Sequence, residues 1–103
     1  MEIIVKSSHP IVLLSLKKDV PNGASVFVPP IISRRDISVV DALNAIVTVS
    51  RDIEIGLLGA WLFEKTKIDQ NYTTVYINRV EVQLEHGEIV RVLSEQIKQT
   101  SES

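Results

Sequence analysis

The chain contains no cysteine, which excludes disulfides, thiolate catalysis and cysteine-based zinc sites. Only two histidines occur, His9 and His86, far apart in the sequence. No HExxH, Walker loop, GxSxG or Rossmann glycine pattern is present, so the main motif-borne chemistries have no carrier here. His9, beside Pro10, reads as a helix-start or loop residue, and His86-Gly87 reads as a turn. Neither sign of charge dominates: 13 acidic residues oppose 11 basic ones, for a net charge of −2. Such a balance gives no overall attraction to nucleic acid or anionic membranes. Lys17-Lys18 and Arg34-Arg35 are the only adjacent lysine and arginine pairs, and aromatics make up 5% of the chain. Both the phosphate contacts and the stacking platforms of a nucleic-acid binder are therefore scarce.

What is abundant is apolar character. Forty-five per cent of the 103 residues are hydrophobic, which argues for a packed protein rather than a disordered one. That length fits one domain, placed at residues 1–98, with the polar end QTSES (99–103) expected to fray. The start, MEIIVKSSHPIVLLSLKK, is a poor signal peptide: Glu2 precedes the apolar run, Pro10 interrupts it, and no small-residue cleavage site follows. A cytoplasmic location is the expectation.

Turn residues and periodicity divide the chain into elements. Glu2 to Lys6 is a β-rich strand. Ser8 and Pro10 mark a helix start, with Ser8 as N-cap and Pro10 in the first turn. Ile11 to Leu16 is short enough to fit either a helix or a buried strand, and the helix is preferred. Pro21-Asn22-Gly23 is a turn, and Ser25 to Val28 is a strand stopped by Pro29-Pro30. Residues 29–37 form a linker. A helix is expected from Ser38, with capping-box spacing to Asp41. On it Val39, Leu43, Ile46 and Val47 share one face, opposite a polar stripe of Asp41, Asn44, Thr48 and Arg51. Asp52 is placed as the cap of a second helix, from Ile53 to about Lys65. Tyr72 to Ile77 and Val80 to Leu84 alternate around Asn78-Arg79 and read as a hairpin. Ile89, Val90, Leu93 and Ile97 then mark a closing helix. The expected class is α+β: a small sheet including a β-hairpin, packed by a central helical pair and a C-terminal helix.

The stretch from 38 to 67 raises the functional question. A bilayer-spanning helix needs about 20 residues with few charges, and Arg51, Asp52 and Glu54 interrupt this one, so a membrane span is disfavoured. Interfacial contact through Trp61 and Leu62 is one alternative. The second helix is apolar almost all round, so it needs surroundings: its own domain, a partner or lipid. Gly56, Gly59 and Ala60 lack bulk and would admit another backbone, Trp61 would serve as an anchor, and Phe63 shares their side of the helix. These five residues are the candidate interface of a homo-oligomer. Asp41, Asn44, Thr48 and Arg51 are the candidate ligand site under the alternative reading, a small-molecule binder or minor enzyme. No catalytic residue, metal ligand or cofactor site is assigned.

DALNAIV (41–47), GLLGAWLFEK (56–65) and TTVYINRVEVQL (73–84), followed by a short helix, resemble the effector-associated constant component family of bacterial conflict systems. The likeness covers about residues 38–98. It departs from the family's pattern at Ser50-Arg51-Asp52, where a glycine-rich junction is usual, and at Phe63-Glu64-Lys65, where arginines follow the Trp-Leu pair. The resemblance implies a small α+β accessory subunit, without catalytic residues, working beside an effector protein.

Overall fold

The computed structural model describes residues 1–29 and 43–102. Their core is a five-stranded sheet built from β1 (Glu2–Ser7), β2 (Ala24–Phe27), β3 (Leu43–Val49), β4 (Thr73–Ile77) and β5 (Val80–Val82), in the order β2-β3-β1-β4-β5. Every neighbouring pair is antiparallel. Helix α1 (Pro10–Ser15) connects β1 to β2, and α2 (Ile55–Thr66) lies between β3 and β4, followed by a 3₁₀ stretch, Lys67–Tyr72. Helix α3 (His86–Glu102) closes the described chain. β1 and β2 thus run parallel with β3 between them, and β3 and β4 run parallel with β1 between them. This is a double split β-α-β arrangement, and the α+β class expected from the sequence is the class observed.

Alternation explains why the described helices cover one face of the sheet. Ile3, Val5, Ala45, Val47, Val75 and Ile77 are all fully buried, and each lies an even number of residues from the next on its own strand, so they share a face. Against them pack Val12, Leu13 and Leu16, then Leu58 and Leu62 of α2, and Ile89 and Leu93 of α3, in one continuous cluster. Each of these large aliphatic side chains contributes about 1.5–3 kcal/mol through burial. The hydroxyls of Ser7 and Thr73 also face inward and bond to each other at 3.0 Å, which satisfies both.

The largest departure from the sequence reading is β3. Residues 43–49 form a strand, not half of a helical pair. Ile46, Val47, Thr48 and Val49 are four consecutive β-branched residues, which lose χ1 freedom in a helix and suit a pleated surface. The segment is flanked on both sides, by β1 and by β2, so tertiary pairing reinforces that preference. The expected capping box at residues 38–41 and the linker from residue 30 lie outside the described residues. The helices that do pair closely are α2 and α3.

Smaller corrections concern caps and ends. The strand continues through Ser7, so His9 rather than Ser8 caps α1, its Nδ1 accepting from the Ile11 amide at 3.3 Å. Helix α2 begins at Ile55 rather than Ile53, and Glu54 rather than Asp52 caps it. The Glu54 carboxylate accepts from the Gly56 and Leu57 amides at 3.0 and 3.2 Å. The hairpin turns at Asn78-Arg79 as read, though its second strand ends at Val82 rather than Leu84, with Asn78 at φ 48° and Arg79 at φ 72°, the two positive values of a type I′ turn. The α3 backbone is helical to Glu102.

Candidate interaction surface

The sequence-derived interface residues divide on folding. Gly59 is buried, and a methyl group there would lie 2.6 Å from Cγ2 of Val90. The close backbone approach that its missing side chain permits is made by the chain's own α3. Trp61 is also internal, its indole N–H donating to the Lys18 carbonyl at 3.0 Å. This bond ties α2 to the turn after α1. Phe63 is half-buried, with its ring centroid 6.0 Å from that of His86 and Lys67 Nζ 5.9 Å from it. Gly56 and Ala60 alone of the five are exposed. The near-uniform apolarity of α2 is thus explained by burial between α3, α1 and the sheet, with Leu57 left outside.

The polar stripe does not form as a helical face. Asp41 lies outside the described residues. Asn44 and Thr48 are exposed on β3, four residues apart, hence about 14 Å along an extended strand. Arg51 follows in an exposed turn. Asn44 and Thr48 flank Ile46 instead of converging on one ligand.

That flanking position leads to the surface the sequence reading missed. The registers pair Phe27 with Ile46, Ile46 with Ile4, Ile4 with Tyr76, and Tyr76 with Glu81. All five lie on the sheet face opposite the helices. Four apolar side chains from four adjacent strands therefore form one row across the molecule. Phe27 is 61% exposed, and Ile4, Ile46 and Tyr76 are partly exposed. Polar rows border it on both sides. Ser25, Thr48 and Glu2 lie in register along one border, and Asn44, Lys6 and Thr74 along the other. Neither Glu2 nor Lys6 takes part in any of the ion pairs found among the described residues. Within each strand the signal is faint: Glu2-Ile4-Lys6 and Asn44-Ile46-Thr48 each place one apolar residue between two polar ones. Only the register joins these single residues into a stripe.

The helical layer also exposes apolar side chains, Ile11 and Leu14 on α1 and Leu57 on α2. Ile11 and Leu14, three residues apart, are neighbours on one face of α1, but a pair of exposed apolar side chains is ordinary on a protein surface.

No group of three His, Asp or Glu side chains among the described residues could hold a metal ion. No helix among them is long and apolar enough to cross a membrane. No family model matches the chain, and no curated protein or solved structure shows significant similarity to it.

Proposed function

We propose that this chain is a non-enzymatic interaction subunit that self-associates, with β3 of the 38–65 region contributing to the contact. The observation that carries this reading is the apolar row Phe27–Ile46–Ile4–Tyr76 on a sheet face that no described element covers. An antiparallel sheet normally leaves one face to solvent, and that face is then polar at alternate positions. A continuous apolar row bordered by polar rows is instead the core-and-rim pattern of a recognition surface. The resemblance of 41–47, 56–65 and 73–84 to the effector-associated constant component family agrees with an accessory role beside an effector protein. The small-molecule alternative gains no such support, since Asn44, Thr48 and Arg51 are exposed and do not converge.

Native mass by light scattering, over a wide range of protein concentration, tests the reading. The expected result is a mass that rises toward a dimer, and a Phe27→Ser variant, altered only at an exposed position, that dimerises more weakly. A strict monomer at every concentration would remove self-association from the proposal.

A further inference from the structure

We infer that this sheet face, which no described element covers, closes on a second copy of this chain, about a two-fold axis running along the apolar row. This rests on the self-association proposed above and adds its geometry. A symmetric face-to-face dimer requires a two-fold axis in the plane between the sheets. Two such axes superpose the two rows, and the charges choose between them. With the axis along the strands through Ile4, Glu2 meets the second copy's Glu2, Lys6 meets its Lys6, and Phe27 meets Glu81. With the axis along the row, Ile4, Ile46, Phe27 and Tyr76 each meet their own counterparts, and Glu2 of each copy lies opposite Lys6 of the other.

The match follows from spacing. Glu2 and Lys6 sit two residues either side of Ile4 on β1, hence each about 7 Å from the row. Packed sheets lie about 10 Å apart, a gap that an extended glutamate and lysine span together. β1 is the middle strand of the five, so the usual rotation of about 30° between packed sheets displaces these pairs least. The same two-fold sets Thr48 over the second copy's Asn44. One contact is unfavourable: Glu81, at the β5 end of the row, faces its own counterpart at the solvated rim.

Size sets the strength. Five strands at about 4.8 Å and three outward rows at about 7 Å give a footprint of roughly 500 Å² per copy. A standard interface buries about 800 Å² per partner. The dimer is accordingly reversible and concentration-dependent.

The test is charge reversal in the full chain, with folding checked by circular dichroism. Glu2→Lys and Lys6→Glu each turn both pairs repulsive, and each alone should raise the dimer dissociation constant by about tenfold or more. Mixed one to one, with a fluorescent label on one variant, they should form a heterodimer, because both of its pairs are then opposite in charge. Glu81→Gln should tighten the wild-type dimer. If a reversal variant fails to fold, Glu2→Gln and Lys6→Gln replace it, each with a smaller but measurable loss. A wild-type dimer indifferent to these changes, with no preference for the heterodimer, would overturn this geometry and leave self-association standing through another surface. A wild-type monomer throughout would overturn both.

Discussion

Replacing Gly59 by alanine asks whether α2 and α3 are pressed together as closely as the structure shows. On an ordinary exposed helix position, Gly→Ala stabilises by about 0.8–1.0 kcal/mol. At Gly59 the added methyl would meet Val90 Cγ2 at 2.6 Å, with Leu93 Cδ1 and the Val90 Cα both at 3.8 Å. Val90 has little freedom to turn away, because a helix holds a β-branched side chain mainly in one rotamer. Overpacking of this kind costs about 1–3 kcal/mol, so the net expectation is a loss of about 1 kcal/mol. In a domain of this size that corresponds to a fall in Tm of about 4–8 °C. Gly56→Ala is the internal control. Its nearest neighbours would be atoms of the Glu54 carboxylate, at 3.2 Å or more, which need give only a few tenths of an ångström and can keep the cap, so the variant should be neutral or slightly stabilised. Val90→Ala introduced beside Gly59→Ala should recover at least about 1 kcal/mol in a double-mutant cycle. Urea midpoints at constant m-value measure all five proteins: wild type, Gly56→Ala, and the Gly59→Ala, Val90→Ala and doubly substituted members of the cycle. If Gly59→Ala stabilises as much as Gly56→Ala, or shows no coupling to Val90, the α2–α3 contact is not as described.

Further expectations follow from the hairpin, the core and the surface. Arg79 adopts φ 72° at the second turn position, so Arg79→Gly should raise stability by about 1 kcal/mol in chemical denaturation; an unchanged or lower midpoint would argue against the type I′ turn. Ser7→Ala leaves the buried Thr73 hydroxyl without its partner and removes an acceptor from the His9 amide, a loss of about 1–3 kcal/mol. Adding Thr73→Val should cost less than the sum of the two single changes, and strict additivity would contradict the pairing. Hydrogen bonding to Arg91, helped by its charge, holds the Glu88 carboxyl below its ordinary range. Its folded value is thus the depressed one, so its stabilisation is present above the unfolded value and is lost as pH falls through the folded value. Arg91→Gln should bring the Glu88 titration, followed by NMR, back toward the ordinary range; no movement would dissociate the pair.

The elements legible in the sequence were those fixed by local chemistry. Pro10 in the first turn of α1, Pro21-Asn22-Gly23, and Asn78-Arg79 between two alternating runs each mark a boundary by backbone preference alone. Residues 43–49 were not legible, because apolar side chains at 43, 46 and 47 fit a helical face as well as a strand. The β-branched run from Ile46 to Val49 was the available counter-signal, and pairing on both sides made it decisive. The candidate surface divides in the same way. Gly59, Ala60 and Trp61 announced a close-packed helix, but not that α3 would supply the packing for Gly59. The row Phe27–Ile46–Ile4–Tyr76 comes from four strands distributed between residues 4 and 76, and only their register assembles it.

The most direct measurement of where the chain self-associates is the set of backbone amide shifts that move on serial dilution of the isotope-labelled protein. Assignment of the contact to the sheet face opposite the helices predicts changes along Glu2-Ile4-Lys6, Asn44-Ile46-Thr48 and Thr74-Tyr76, with Leu57, Ala60, Ile11 and Leu14 unmoved. Changes concentrated on α1 and α2, or none at any concentration, would contradict it.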